Sequence, residues 1–331
     1  MAEITKAWNV YVTRMIPEEP LALLREAGCA VEVSPHDRFL TREELLAAVA
    51  GRDGIIPMVT DRIDEAVMRA AEGIKGIANF GVGYNNIDIE TATGLGLPVT
   101  NTPDVLTDAT ADLAWALLFV AARSIVENDG IFRSGKWLGW GPLQFLGADV
   151  TGRTLGIVGA GRIGENFALK SVGFKMPVLY ADNARNAALE EHLDARQVDL
   201  PTLLQESDFV SLHVPLTPET KHLIGPEQLT LMKPSAILIN TSRGPVVNEA
   251  ALVEAVRTGQ IASAALDVYE NEPAPAPGLT ELPQVICLPH IGSATHSTRT
   301  NMGLIAARNL LQILRGERPT NLVNPTVLDK P

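Results

Sequence analysis

The sequence predicts an α/β chain of two doubly wound halves, each a parallel sheet with helices packed on both faces. Three observations predict it. Short apolar runs alternate with stretches of helical spacing along nearly the whole chain, the order of repeated βαβ units. One strand breaks at Gly159–Gly164 and passes into a helix and a second strand ending on an acid, the order of a dinucleotide-binding βαβ unit. The length, 331 residues, is enough chain for about two domains, each with its own core.

Taken in order, the first half has strand candidates at Asn9–Thr13, Ala30–Val33, Gly54–Val59, Ile74–Phe80 and Pro98–Asn101. Between them Glu18–Ala27, Arg42–Ala50 and Asp64–Ala71 carry apolar residues at helical spacing. Pro17 and Thr41 stand where helices begin, and Gly28 and Gly51 where helices stop. After Asn101-Thr102-Pro103 the spacing predicts one long helix from Thr107 to Ser134, apolar on nearly every face. Such a helix needs burial all round, in a core or at a subunit interface. A Gly-rich loop, Gly135 to Pro142, follows with Trp137 and Trp140. In the second half, strand candidates run at Thr154–Val158, Val178–Ala181, Phe209–Val214, Ala236–Asn240, Ala262–Asp267 and Gln284–Leu288, with a helix at Glu249–Thr258. The last helical stretch, Thr298–Arg315, is expected to cross back to the first half. The expected domains are therefore 1–101 with 297–331, and 102–296.

Composition narrows the class. Hydrophobic residues make up 46% and charged residues 20%, a globular balance. A net charge of −12 argues against a general nucleic-acid binder, whose affinity comes from neutralising phosphates. The start, MAEITKAWNV, lacks the basic region and apolar core of a secretory signal. The most apolar segment, Leu113–Ala122, is about half a membrane span. The two cysteines, Cys29 and Cys287, have no metal-ligand spacing, so no metal is expected and a reducing cytoplasm is the simplest setting.

One stretch organises the second half. The strand Thr154–Val158 breaks at Gly159-Ala160-Gly161-Arg162-Ile163-Gly164, passes into a helical segment, and a second strand ends on Asp182. Strand, tight turn, helix, strand and acid is the order that dinucleotide binding requires. Gly159 permits the turn, Gly161 admits a pyrophosphate to the backbone N–H groups, and Gly164 lets helix and strand pack closely. Asp182 stands where a carboxylate accepts from ribose hydroxyls. Three more strand ends carry polar clusters, namely His213-Val214-Pro215-Leu216-Thr217, Asn240-Thr241-Ser242-Arg243-Gly244 and Leu288-Pro289-His290-Ile291-Gly292-Ser293. Ligands of open α/β sheets sit at such ends.

Hydride chemistry with a nicotinamide asks the protein for substrate positioning, a proton carrier and charge stabilisation. His290 suits the proton. Glu272, in YENEP, would stabilise its imidazolium, and Arg243 offers a planar cationic fork to a carboxylate. Each has a plainer reading: a structural histidine, an exposed turn glutamate, a phosphate-binding arginine. Spacing alone does not bring the three together, and His36, His192, His213, His222 and His296 compete for the proton role. Gly81-Val82-Gly83 could hold an anion on its N–H groups, although on residues alone a plain Gly-rich turn is the simpler reading. No HExxH, Walker lysine loop or GxSxG elbow occurs.

The chain resembles the D-isomer-specific 2-hydroxyacid dehydrogenases, and most closely their glyoxylate/hydroxypyruvate reductase branch. The segments that carry the likeness are NFGVGYNNID at 79–88, TPDVLTDATADLAWAL at 102–117, GIVGAGRIG at 156–164, HVPLTPET at 213–220, NTSRGPVVNE at 240–249, ALDVYENEP at 265–273 and LPHIGSAT at 288–295. The resemblance implies a Rossmann-like dinucleotide-binding domain inserted into a discontinuous, flavodoxin-like substrate domain. It implies that Arg243 binds the carboxylate of a 2-oxoacid, that His290 protonates its carbonyl oxygen, and that Glu272 holds the imidazolium. It assigns Val82 and Gly83 to the substrate carboxylate, in place of the plain turn, with Ser293 nearby. Arg162 and Ile163 would lie at the pyrophosphate. Thr107, His213, Val214, Pro215, Thr220, Thr241, Ser242, Asp267 and Gly292 would line the cofactor path. Members are typically homodimers, with Trp140 resembling the tryptophan that one subunit lends to the other, and cofactor and substrate meeting in an interdomain cleft.

Related groups fit less well. Formate dehydrogenases carry Gln where Glu272 stands, and phosphite dehydrogenases a lysine near Val82. The C-terminal-binding corepressors, dinucleotide-sensing scaffolds of the same architecture, form the alternative, but they usually carry extended tails. Asp182 would repel a 2′-phosphate, so NAD(H) is the expected cofactor; Arg185 nearby would soften that preference towards NADP.

Overall fold

The computed structural model describes residues 7–329. Among them the chain divides into two compact units: one continues through Leu106 and resumes at Ser293, and the other is Thr107–Gly292.

The first unit is a five-stranded parallel sheet of β1 (Asn9–Val12), β2 (Ala30–Val33), β3 (Gly54–Ile56), β4 (Gly76–Ala78) and β5 (Val99–Thr100), in the order β2-β1-β3-β4-β5. That is the flavodoxin-like order. Helices α1 (Glu18–Glu26), α2 (Arg42–Val49), α3 (Glu65–Ala70) and α4 (Ile89–Gly94) connect the strands. Their starts are chemically explicit: Thr41 forms a capping box with Glu44, and Asp64 and Asp88 accept from the first-turn N–H groups of α3 and α4. β3 and β4 are shorter than the apolar runs that encode them; Pro57 follows β3 directly and has no N–H to give a ladder. The C-terminal helix, His296–Leu314, is capped by Thr295 and belongs to this unit. The tail beyond it stays there, since Asn324 Oδ1 accepts from Val99 N at 2.9 Å.

The second unit corrects one expectation. The predicted helix Thr107–Ser134 is two helices, α5 (Thr107–Ala122) and α6 (Ile125–Arg133), meeting at 61°. Ser124 between them has a left-handed φ of 46°, which a continuous helix cannot contain. The break separates two environments: α5 is mostly apolar, whereas α6 carries Glu127, Asn128, Asp129 and Arg133. α5 is buried, with Trp115 stacked among Phe119, Phe167 and Phe174 and its indole N–H donating to Phe167 O at 2.9 Å. α6 has no buried residue and leaves Ile125, Val126 and Phe132 exposed. Among the described residues no single helix is long and apolar enough to cross a membrane.

The remaining strands are β6 (Leu155–Val158), β7 (Val178–Ala181), β8 (Arg196–Gln197), β9 (Phe209–Leu212), β10 (Ile237–Asn240), β11 (Ser263–Leu266) and β12 (Val285–Cys287), all parallel, in the order β12-β11-β10-β9-β6-β7-β8. This is the Rossmann order with one strand added. Helices α7 (Arg162–Leu169), α8 (Ala187–Leu193), α9 (Leu200–Glu206), α10 (Pro226–Leu231) and α11 (Glu249–Arg257) complete the unit. Every residue of β6, β9 and β10 is buried, because successive side chains feed opposite cores. Leu155, Ile157, Phe209, Ile237 and Ile239 pack with α5 and α7, while Val158, Val210, Leu212 and Leu238 pack on the other face with Leu203, Leu229 and Leu252.

Candidate active site

Arg243, Glu272 and His290 follow β10, β11 and β12, three strands that lie side by side. Sheet order therefore does what spacing could not, and carries the three to one edge of the unit. Asn240, the last residue of β10, shapes the first approach: its Oδ1 accepts from Ser242 N at 3.0 Å and Ser242 Oγ at 2.8 Å, and its Nδ2 donates to Arg243 O at 3.0 Å. Gly244 makes the next contact possible, because a Cβ there would fall 1.8 Å from the Tyr269 carbonyl carbon. The Arg243 turn thus lies flat on the segment leading to Glu272. Burial pushes the guanidinium pKa down, and the Glu272 charge pulls it back up.

Glu272 receives Tyr269 N at 3.1 Å on Oε1 and faces His290 Nδ1 at 2.9 Å with Oε2. Burial opposes its ionisation, but the His290 hydrogen bond and charge, the Tyr269 N–H and Arg243 together hold the carboxyl below its usual range. The loop that carries it is anchored by Glu249, a buried carboxyl at the start of α11 that accepts from Glu270 N and Ala276 N. Burial raises the Glu249 pKa, with Glu270 and Glu272 adding to the rise.

His290 is held in a left-handed conformation, φ 55°, which costs a non-glycine residue free energy unless neighbours impose it. Asp267 imposes it. Its two oxygens accept from Ile291 N and Gly292 N, both at 2.7 Å, in a site where the residue is 1% exposed. Burial raises the Asp267 pKa against those two hydrogen bonds. Tyr269 adds a tie by donating from Oη to Leu288 O at 2.8 Å.

At the neighbouring strand ends the dinucleotide unit has the expected form. Gly159 takes φ 92° at the end of β6, and a Cβ on Gly164 would lie 2.0 Å from Gly159 O, so the turn and helix contact require glycine at both places. Three features fit a pyrophosphate and nucleoside. α7 begins at Gly161 without a side-chain cap; a Cβ on Gly161 would meet open space, leaving the backbone approachable beside Arg162 and Ile163; and Thr241 Oγ1 is buried with no hydrogen-bond partner among the described residues. Asp182, exposed after β7, accepts from Ala160 N at 2.7 Å and Ala184 N at 3.0 Å, so it braces the glycine turn as well. Arg185 is paired with Glu190, whose other oxygen accepts from Tyr180 Oη at 2.7 Å.

His213 is half-buried against Phe167, with Nε2 2.9 Å from Ser211 Oγ, and desolvation pushes its pKa down to about 3. It is thus a neutral wall residue, out of the contest for the proton role. Val214 packs onto Gly159. Thr220 Oγ1 accepts from Thr217 N at 2.8 Å and donates to Pro215 O at 2.6 Å, which folds that loop. Thr107 opens α5. Trp140 is 84% exposed. Val82 and Gly83 lie half-buried in the loop after β4 of the other unit, and Ser293 begins that unit's C-terminal segment. Sequence reasoning missed Asn240, Glu249 and Tyr269 as supports; only Asn240 left a signal, an Asn-x-Ser turn pattern at a strand end.

The family described as D-isomer specific 2-hydroxyacid dehydrogenase, NAD binding domain, matches residues 115–292. A glyoxylate reductase of Thermococcus litoralis is 50% identical over 324 residues, covering 97% of this chain and 98% of that protein. A crystal structure from Thermus thermophilus superposes with a TM-score of 0.88 at 46% identity, covering 95% of this chain and 99% of that one. An NADPH-dependent glyoxylate/hydroxypyruvate reductase of Sinorhizobium meliloti, solved with NADP and malonate, has a TM-score of 0.85 at 30% identity, covering 97% and 98%.

Proposed function

The chain belongs to the D-isomer-specific 2-hydroxyacid dehydrogenase family, and from that premise we propose that it reduces a small 2-oxoacid, glyoxylate or hydroxypyruvate, to glycolate or D-glycerate. The observation that carries the reading is the His290–Glu272 couple, with Arg243 beside it, at the ends of β10, β11 and β12. Arg243 pairs with the substrate carboxylate and orients the carbonyl, assisted by the N–H groups of Val82 and Gly83. Because His290 Nδ1 faces Glu272, Nε2 is the nitrogen left to give its proton to the carbonyl oxygen. Glu272, kept ionised by its surroundings, stabilises the imidazolium that makes this transfer possible.

Bound NADH supplies the hydride. The residues that would hold it are Gly159 to Gly164 at the pyrophosphate, Asp182 at the ribose, and Thr241 and the His213–Pro215 wall along its length. With Arg185 engaged by Glu190 and a carboxylate at Asp182, NAD(H) is preferred to NADP(H). We place the reaction in the cytoplasm, where the free thiols Cys29 and Cys287 persist.

The working form is a homodimer. Ile125, Val126 and Phe132 on α6 and Trp137, Leu138, Trp140, Leu143 and Leu146 after it are all exposed, an apolar patch of the kind that marks a protein contact. A second copy covers it, and Trp140 reaches the partner's substrate site.

The test is NADH oxidation by purified protein with glyoxylate, hydroxypyruvate and pyruvate. Turnover is expected with at least one, and His290→Ala should lose about 10²- to 10⁴-fold in kcat while still binding NADH. Failure of every 2-oxoacid, or undiminished turnover by His290→Ala, would overturn the reading.

A further inference from the structure

Beyond the residues that touch substrate, we propose that Asn101 and Asn79 are positioning residues that set the peptide planes of the Gly81–Tyr84 loop and turn its N–H groups towards the substrate carboxylate. The inference rests on the reading above that this loop binds the carboxylate. β4 and β5 pair with Ala78 opposite Thr100, so Asn79 and Asn101, the next residue on each strand, stand side by side at the sheet's carboxyl edge. From there they pin successive carbonyls. Thr102 N donates to Gly81 O at 3.0 Å, Asn101 Nδ2 to Val82 O at 2.8 Å, and Asn79 Nδ2 to Gly83 O at 2.8 Å.

A trans peptide is planar, with its C=O and N–H pointing in opposite directions. Holding the carbonyls of Gly81, Val82 and Gly83 therefore turns the N–H groups of Val82, Gly83 and Tyr84 away from the donors that hold them. Among the described residues no acceptor takes any of these three N–H groups. Successive N–H groups presented in this way form an anion-binding concavity, and Tyr84 N–H becomes a third donor beside the two already assigned.

The pins are themselves fixed. Asn79 is buried, and its Oδ1 accepts from Asn86 Nδ2 at 3.1 Å, which leaves its own Nδ2 for Gly83. Asn101 is held through its backbone, with N donating to Asn321 O at 3.2 Å and O accepting from Asn309 Nδ2 at 3.2 Å. Asn101 controls the plane that carries Gly83 N–H, and Asn79 the plane that carries Tyr84 N–H.

The test uses Asn101→Leu and Asn79→Asp in the full chain. Asn101→Leu should raise the KM for glyoxylate about tenfold, the equivalent of about 1.4 kcal/mol, with kcat and NADH affinity close to wild type. Asn79→Asp keeps the acceptor for Asn86 but sets a carboxylate oxygen against Gly83 O and adds negative charge beside the anion site, so KM should rise at least as far. A purely structural role would lower the unfolding temperature or the active fraction and leave KM unchanged. As a direct readout, ¹⁵N-glycine- and ¹⁵N-tyrosine-labelled protein saturated with NADH is titrated with oxamate, an unreduced 2-oxoacid mimic. Gly83 and Tyr84 amide resonances should move in wild type, and Gly83 should move less in Asn101→Leu. If neither moves in wild type, the carboxylate site itself is wrong. If both move there, and Asn101→Leu keeps wild-type KM and the full Gly83 shift, the positioning role alone is overturned.

Discussion

Asp267→Asn tests how the site is held together. The wild-type carboxylate accepts two 2.7 Å hydrogen bonds, from Ile291 N and Gly292 N, in a buried position. Asparagine has one oxygen, so one N–H keeps a neutral acceptor while the other faces an NH₂ group. Hydrogen bonds to a charged partner contribute about 1.5–3 kcal/mol each and neutral ones about 1 kcal/mol, which puts the gross loss at about 2–5 kcal/mol. Against this stands relief of the buried charge, whose cost is visible in the raised Asp267 pKa. A net destabilisation of about 2 kcal/mol remains, or about 4–8 °C in Tm for a unit of this size. The catalytic effect should be larger in proportion. The strained φ of His290 relaxes when its flanking N–H groups are released, Nδ1 swings away from Glu272, and a displacement of about 1 Å costs about 10²-fold in rate. Differential scanning calorimetry and steady-state NADH oxidation read the two effects separately. A variant with wild-type Tm and wild-type kcat would refute the claim that Asp267 sets the His290 geometry.

Three other outcomes are expected. Asp182→Ala should raise the NADPH-to-NADH ratio of kcat/KM at least tenfold, since like charges about 4 Å apart repel by about 1 kcal/mol in water and more near a protein surface; an unchanged ratio counts against Asp182 as the selector. Glu272 has a depressed folded-state pKa, so its contribution to stability is present above the unfolded carboxylate range, about pH 4.3, and is lost as pH falls through the lower folded value. The Tm gap between wild type and Glu272→Gln should therefore be wider at pH 7 than at pH 3, and a gap independent of pH would contradict the assignment. Light scattering should give twice the chain mass of 35.5 kDa for wild type, and the combined change Leu138→Glu and Leu146→Glu should shift the protein towards monomer; a wild-type monomer would rule out the α6 patch as an interface.

Much of this molecule is written locally. The apolar runs of β6, β9 and β10, the glycine turn before α7, Asp182 at the end of β7 and Thr41 at the start of α2 were legible because each is signalled by residues within a turn or two of one another. What lay beyond that range was not. The helical spacing of Thr107–Ser134 runs on through Ser124; Glu127, Asn128, Asp129 and Arg133 mark the second part as polar, but the 61° break itself came only with burial of α5 and exposure of α6. Arg243, Glu272 and His290 were recognisable one by one as chemistry at strand ends; their meeting depends on β10, β11 and β12 being adjacent in the sheet, a property of topology. Asp267, Glu249 and Asn101 carry the same lesson further, for each works by accepting from or donating to a backbone group about twenty residues away in sequence that only the folded chain brings near. The sequence by itself determined which chemical groups are present and which short elements carry them. The tertiary structure alone decided how those groups are aimed, because a hydrogen bond acts over about 3 Å and only the folded chain brings such partners within reach.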